Sequence, residues 1–489
     1  TWFLSKDKFV AEITPVGKER ISFIGRKTTT YRHVIVDDSS VVNQLEKNKI
    51  MEEVITDPGA DEKQKDYWAQ ARHEQLSKTE AGIIKMIDTL TNAPVFKRFT
   101  NTLNFIGTGY LNTGNYQLGP WYNWMTYNSW EGFRMRFDVG TNHHFNKKIW
   151  LHGYLAYGFG DKAFKGKAEA LYLIHKNPRT YLFGSYTHDL DFGQSYYGEV
   201  TSDNIFALAI RKPNIPIKFM KIDEKRFEFY HQTHSGFSVL FTGLQKSYDP
   251  LRNLPPKDSF SVSKGKPLTG FEVSLKFRFA YLEKYLENNF FRTSLGSPYP
   301  IPELYIAKGL AGVGNGGYNY TKFSASIYDY VKIPPFGSVE FYLFGGRTYG
   351  TLPYTFLDIA PGNELHYYNK FAFNMMNKYE YVHDRYAGLN LEHNFGNGIF
   401  RLIPKLKFRQ FWNIKMLWGR LSAENQALNF KEGYSFSTLN GKTYMEIGTG
   451  IDNILKVLRL DFVWRVLPDP LPKQASRRFG VFGSFRVSF

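Results

Sequence analysis

The last segment of the chain alternates without a fault. Phe479, Val481, Gly483, Phe485, Val487 and Phe489 share one face, and Gly480, Phe482, Ser484, Arg486 and Ser488 share the other. A period of two is the signature of a β-strand. Here one face is aromatic and the other carries small residues and an arginine, and the pattern runs to the terminal carboxylate. Such a strand is expected to close a sheet. Strands that complete a transmembrane barrel have this character, with lipid outside, water inside and an aromatic residue at the interface.

Composition agrees with a barrel. Aromatic residues make up 17% of the chain, as 43 Phe, 33 Tyr and 9 Trp, yet hydrophobic residues reach only 43%. A helical membrane protein needs runs of about 18 or more apolar residues, and the sequence has none. A barrel needs none, because only alternate residues meet lipid. Cysteine is absent, which excludes disulfides, thiolate metal sites and a cysteine nucleophile. The formal charge is +17. Lys and Arg are spread through aromatic strands rather than clustered, so a lumen and anionic headgroups explain them better than nucleic acid does. The numbering opens at Thr1 without an initiator Met, which predicts processing or a missing start.

Residues 1–100 differ from the rest and read as a small α/β periplasmic or plug-like segment. Ser77-Lys78-Thr79-Glu80 is a capping box. It predicts one amphipathic helix over 77–91, with Ile83, Ile84, Ile87 and Leu90 on one face and Asn92 and Pro94 as its stop. That stripe is expected against the periplasmic rim or inside the barrel mouth. Residues 101–489 read as the barrel, hairpin after hairpin. Phe133, Met135, Phe137 and Val139 alternate with Arg134, Arg136 and Asp138. Phe271, Val273, Leu275, Phe277 and Phe279 alternate with Glu272, Lys276 and Arg278. Seventeen candidate strands emerge, including ones near 103–111, 203–211 and 400–420. Bacterial single-chain barrels have even strand numbers, so sixteen is favoured and fourteen stays open. The long segments 249–267, 286–318 and 349–378 are expected at one end and short turns at the other.

The face assignment predicts lumen charges at Arg134, Arg136, Asp138, Lys276, Arg278 and Arg486. Charges on a dry inner face would cost several kcal/mol each, by order of magnitude, so the lumen is expected to be wet. Glu131, Arg134 and Arg136 with Glu392, Arg401 and Arg409 are a candidate lumen network, against the plainer reading of a solvated wall. Gly345-Gly346-Arg347 is expected to end a strand at the loop rim. His143 and His144 are expected to point to opposite faces of a strand, so they share no metal. His383-Asp384-Arg385 matches a kinase motif by letters only, without its phosphate loop. No catalytic, cofactor or metal residue is assigned.

Gly448-Thr449-Gly450-Ile451, Leu455–Trp464 and Arg478-Phe479-Gly480-Val481 resemble the last strands of the outer-membrane insertase and two-partner-secretion translocator barrels. The resemblance implies protein assembly or export, and a C-terminal assembly signal in Phe485, Val487 and Phe489. The chain departs from that superfamily: 349–378 has no Arg-Gly-Tyr or Arg-Gly-Phe, and the periplasmic repeats are missing. Five further motifs resemble a poorly characterised family of Bacteroidetes outer-membrane barrels. They are Pro94-Val95-Phe96-Lys97-Arg98, Gly119-Pro120-Trp121-Tyr122, Asn128–Arg134, Leu155–Lys162 and His383–Ala387. Members of that family usually carry an N-terminal carboxypeptidase-regulatory-like domain, which is not seen here.

These readings predict an integral outer-membrane barrel. It would act as a non-enzymatic subunit in outer-membrane protein biogenesis, with other outer-membrane proteins, the bilayer and lipopolysaccharide as partners. The alternative is a diffusion pore or transporter, and the third reading is a lipid-facing enzyme.

Overall fold

A computed structural model describes residues 3–13, 23–31, 76–191, 210–260, 267–402, 407–434 and 437–485, with single positions at 34, 39, 67 and 70. Thr1–Thr102 and Leu103–Phe489 are two compact units. In the first, β1 (Lys6–Ile13) and β2 (Phe23–Thr30) pair as an antiparallel hairpin. Helix α1 spans Lys78–Asn92. Its capping box is formed: Ser77 Oγ accepts from the Glu80 amide at 3.2 Å, and Glu80 Oε2 accepts from the Ser77 amide at 2.9 Å. Two backbone donors are thereby satisfied. Ile83, Ile84, Ile87 and Leu90 are all exposed. Pro94 does not end the helical stretch. It opens a second helix, α2 (Pro94–Thr108), because the first helical position has no use for the missing N–H. The strand expected near 103–111 is therefore largely helix; Leu103, Phe105 and Ile106 fit either period.

The barrel begins with β3 (Leu111–Thr113), β4 (Tyr116–Leu118), β5 (Met125–Asn128), β6 (Gly132–Thr141), β7 (Ile149–Gly158), β8 (Ala163–His175) and β9 (Thr180–Asp191). It continues through β10 (Phe219–Gln232), β11 (Phe237–Arg252) and β12 (Leu268–Phe279). A side hairpin, β13 (Lys284–Asn288) with β14 (Phe291–Gly296), precedes β15 (Ile301–Gly309), β16 (Tyr320–Lys332) and β17 (Ser338–Tyr349). A long inserted segment holds the small pair β18 (Asp358–Ile359) and β19 (Val382–His383). The wall resumes with β20 (Arg385–Asn394) and β21 (Arg409–Arg420), then helix α3 (Ala423–Asn429), β22 (Thr443–Ile454), β23 (Leu458–Leu467) and β24 (Phe479–Phe485).

Every registered pair of wall strands is antiparallel, and the order is that of a closed barrel in which β24 neighbours β3. β4 and β5 both pair with β6, so they are halves of one strand. Counting them once and setting aside the three-residue β3 leaves sixteen full strands among the described residues. The two halves are separated at Gly119-Pro120. Gly119 has φ +121°, and a Cβ there would meet the Gly109 carbonyl oxygen at 2.5 Å, so this break needs glycine.

Two further strand expectations change, and a third falls largely on residues that are not described. The candidate near 203–211 lies almost wholly outside the described residues, and the wall passes directly from β9 to β10. The strand placed at 400–420 begins only at Arg409. β15 was read as loop because Pro302 and Lys308 break its apolar alternation. Pro302 is tolerated because β12 pairs with β15 only from Glu303 onward, so at this position β15 is an edge. As a result 286–318 is not one outer loop. Residues 280–300, with the side hairpin, lie at the short-turn end, and only 310–319 link β15 to β16 at the loop end.

Outward positions form an apolar belt: Phe133, Met135 and Phe137 on β6, Leu275 and Phe279 on β12, Leu343 on β17, Trp412 and Trp418 on β21, and Phe485 on β24 are all exposed. Inward positions on the same strands are covered. This is the alternation of a transmembrane barrel.

Candidate functional site

The segment between β17 and β20, residues 350–384, fills the barrel instead of standing above it. It carries Pro353, Tyr354, Phe356, Phe373, Met376 and Val382, and its aromatic residues need cover. Tyr354, Phe356, Leu357, Tyr379 and Val382 pack with Met220, Ile222 and Leu268 of the wall. Phe373, Met376 and Tyr381 pack with Leu417 and Tyr444, and Tyr368 and Met375 pack with Val463 and Phe482. The wall makes room with glycine. A Cβ at Gly270 would collide with the Phe356 ring, and one at Gly419 with His383.

Polar groups fix the plug by its backbone. Glu446 of β22 is fully buried and accepts from the amides of Asn374 at 2.9 Å and Met375 at 2.5 Å, and from Tyr444 Oη at 2.6 Å. Lys415 of β21 donates to the carbonyls of Asn369 at 2.7 Å and Ala372 at 2.6 Å. Arg465 of β23 reaches Glu380 at 2.8 Å and Tyr381 Oη at 2.6 Å. From the loop end, Lys212 donates to the carbonyls of Asn363 and Asn374 at 2.6 and 2.5 Å. Asn425 and Asn429 of α3 accept from the amides of Leu352 and Tyr354 at 2.8 and 2.5 Å. Backbone groups of an irregular segment buried in a barrel need such partners.

Burial sets the charge states within the inserted segment. It lowers Lys378 to about 8 and raises Asp358 to about 6. His383 is wholly buried, neither ring nitrogen has a hydrogen-bond partner, and desolvation lowers it to about 4 despite Asp384 beside it. A neutral imidazole is what such a site favours.

The sequence-assigned lumen charges are placed as follows. Arg134, 1% exposed, bridges Asp189 at 2.7 Å and Glu131 at 3.1 Å, and Lys165 joins Glu131 at 2.7 Å. Arg136 pairs with Asp138 at 2.6 Å and lies over the Tyr154 ring at 3.5 Å. Lys276 meets Glu303 at 2.7 Å, and Arg278 meets Glu283 at 2.6 Å and Glu303 at 3.1 Å. Arg486, Val487 and Phe489 lie outside the described residues; Phe485 is 71% exposed.

The expected wet wall is therefore a correction: many inner-face charges are buried, and they are tolerated because each meets an opposite sign along its own strand, on a neighbouring strand or several strands away. The expected single network also divides. Glu392 pairs with Arg459 at 2.7 Å, and Arg409 pairs with Asp452 at 2.7 Å, both apart from the Glu131 cluster. The Arg401 side chain lies outside the described residues. Asp189, Glu446, Lys415, Arg459 and Arg465 were missed as site residues. Their inward parity was legible, but their partners across the lumen were not. His143 and His144 occupy a turn rather than a strand, with ring centroids 3.9 Å apart. Among the described residues no group of acidic or histidine side chains could hold a metal ion.

At one place the plug joins the wall as a strand. Tyr367 and Gly483 form a parallel bridge: the Tyr368 amide donates to the Gly483 carbonyl, and the Gly483 amide donates to the His366 carbonyl, each at 3.0 Å. Gly483 sits opposite Leu460 of β23 in register. Its amide and carbonyl point the other way, to the edge of β24 that faces the start of the barrel. Among the described residues, no residue-by-residue register joins that edge to β3. Between the plug and the wall remains a cavity of about 130 Å³ lined by Asp191, Lys246, Tyr248 and Lys378, room for several waters.

The C-terminal-domain profile of a family of unknown function, DUF5686, matches residues 234–451. That is under half of the chain. No curated protein matches. Among solved structures, BamA from Haemophilus ducreyi lacking POTRA domains 1–3 aligns with 9% identity and a TM-score of 0.44, over 98% of this chain and 90% of that one. CdiB from Escherichia coli aligns with 10% identity and a TM-score of 0.40, over 73% of this chain and 60% of that one. CdiB from Acinetobacter baumannii gives 10% and 0.38, over 73% and 57%. The chain spans under two thirds of the CdiB chains. At this level of likeness the fold stands on its own strand pairing.

Proposed function

We propose that this chain is an integral outer-membrane barrel that acts as a non-enzymatic subunit of an outer-membrane protein assembly or export complex. The observation that carries the reading is the edge of β24. Val481 and Gly483 offer backbone groups there, and residues 366–368 of the plug occupy them. A strand edge is a template for another strand, and main-chain pairing is how extended segments bind at such edges. The backbone pairing at that edge is a single bridge, which a client segment would replace on pairing there. A plugged lumen supports this reading over a diffusion pore, since Glu446, Lys415 and Arg465 of the inner wall hold the plug in place.

The absence of native cysteine gives a clean test. Tyr367→Cys with Gly483→Cys places thiols at register partners, and the Gly483 site has space for a Cβ. Oxidation locks the edge. The expected result is reduced levels of other outer-membrane proteins in cells relying on the locked chain, restored by a reductant. Normal client levels with the lock closed refute the edge as the working site. An isolated monomer with solute-selective conductance, and no client defect on depletion, establishes the pore reading instead. Phe485, Val487 and Phe489 are assigned as the chain's own assembly signal: Phe489→Asp is expected to leave a degraded periplasmic species, and wild-type membrane levels would contradict it.

A further inference from the structure

The outward face carries a feature that the plug and the seam do not use. Arg347 of β17, Arg385 of β20 and Arg420 of β21 are direct register partners: Arg347 lies opposite Arg385, and Arg385 opposite Arg420. All three have outward parity. On their strands Tyr342, Phe344 and Tyr386 point in and pack with the plug, whereas Leu343 and Trp418 are exposed to the outside. The Thr348 amide bonds the Asp384 carbonyl at 2.7 Å, which makes Arg347 and Arg385 a non-hydrogen-bonded pair, the class whose side chains stand closest. Two strand spacings put the backbones of the three arginines within about 10 Å of one another, inside the reach of their side chains.

Three like charges side by side destabilise a sheet. One carboxylate, that of Asp384, comes near the row. Among the described residues neither Arg347 nor Arg420 has an ion pair. Arg385 Nε stands 3.6 Å from Asp384 Oδ1, and neither of those atoms has a hydrogen-bond partner. Asp384 turns inward, where its Oδ2 accepts from the Ser422 amide at 2.7 Å and Asn425 Nδ2 at 3.1 Å. Elsewhere the barrel pairs many of its charges, so the row is not a general excess.

Its height is equally specific. Exposed Phe323, Tyr349 and Trp418 surround it, with Phe323 opposite Arg347 in register and the Arg347 guanidinium 4.3 Å from the Tyr349 ring centre. Aromatic girdles mark the boundary between hydrocarbon and headgroups. The row stands at the end of the barrel that carries the long loops. Guanidinium forks match phosphate oxygens two at a time, and the low dielectric of the adjoining belt strengthens the attraction.

We propose that Arg347, Arg385 and Arg420 form a binding site for the phosphate groups of a phosphorylated lipid headgroup in the outer leaflet. The proposal rests on the outer-membrane reading above, with the long loops outside.

The test uses the full chain purified in detergent and three probes: diphosphorylated lipid A, the same lipid with its phosphates removed, and inorganic phosphate. Retained lipid is read by native mass spectrometry, and folding by the heat-dependent shift in gel mobility. The expected result is retention of the diphosphorylated lipid at least about tenfold above the dephosphorylated one. R347Q/R385Q/R420Q should remove that preference, while a control triple, K221Q/K225Q/K308Q, should keep it. Inorganic phosphate at millimolar concentration should not displace the lipid. Equal retention by wild type and the arginine triple overturns the proposal, as does equal binding of both lipids or binding of inorganic phosphate alone. If the triple fails to fold, R385Q alone must weaken retention severalfold, and no change overturns the site. Cell fractionation separates the two readings. A chain in the outer membrane that ignores lipid phosphates loses only this site, whereas a chain elsewhere overturns the location and the site together.

Discussion

Replacing Glu446 by alanine is the sharpest probe of how the lumen is closed. The carboxylate is fully buried and takes three donors, the Asn374 amide, the Met375 amide and Tyr444 Oη. A hydrogen bond to a charged acceptor contributes about 1.5–3 kcal/mol, and a buried donor left without a partner costs about 1–3 kcal/mol. The tyrosine hydroxyl can rotate to a new partner, whereas the two amides are fixed in the plug. Counting only those amides gives about 3–6 kcal/mol against the docked plug, or from about a hundredfold to somewhat over about ten thousandfold in the docking equilibrium. The readout is hydrogen exchange at the Asn374 and Met375 amides in the folded barrel, with conductance in planar bilayers alongside. Both amides should exchange faster by at least about a hundredfold, and conductance should rise. Glu446→Gln keeps one acceptor oxygen and should fall between. If Glu446→Ala leaves a folded barrel whose two amides are as protected as in wild type, the anchoring argument is wrong.

Three further outcomes are expected. Leu275→Arg puts a charge on the exposed belt of β12 and should destabilise the barrel by about 2–4 kcal/mol, while Lys276→Gln, on the inner face, should be mild; denaturant titration of the heat-modifiable form compares them. Arg134→Met removes the cation bridging Glu131 and Asp189. Lys165 still serves Glu131, so Asp189 loses its cation and keeps the Tyr154 hydroxyl and the Leu190 amide as donors; the cost should reach up to about 3–5 kcal/mol, and one under about 1 kcal/mol in the same titration would count against it. His383 is held at about 4 by burial, below its ordinary value of about 6.5. Its depressed value means the unfolded chain binds the proton first, so its contribution is full above about pH 6.5 and is lost as pH falls towards 4. The loss amounts to about 3 kcal/mol. Asp358, raised to about 6, has the opposite slope, so the measurement is the difference between wild type and His383→Leu across pH 4–7, which should shrink as pH falls; a flat difference would refute it.

The sequence by itself determined the class of fold. Alternation is a local property: Phe133 to Val139, Phe271 to Phe279 and Phe479 to Phe485 each state in a few residues which face meets lipid, because the strand period is two whatever lies beside it. Where alternation was broken, the sequence misled. Pro302 and Lys308 hid β15, and Leu103, Phe105 and Ile106 suited helix and strand alike. What only the tertiary structure decided was what the inward face meets. Glu446 and Lys415 read as solvated lumen charges until residues 369–375 are seen lying against them. Nothing local in 350–384 says that it turns inward, since its aromatic residues could as well form a separate loop. The arginine row shows the same division. Arg347 and Arg385 belong to motifs noted in the sequence for other reasons and Arg420 to none, and only register, which depends on loop lengths and on strands up to 73 residues apart in the numbering, sets them side by side.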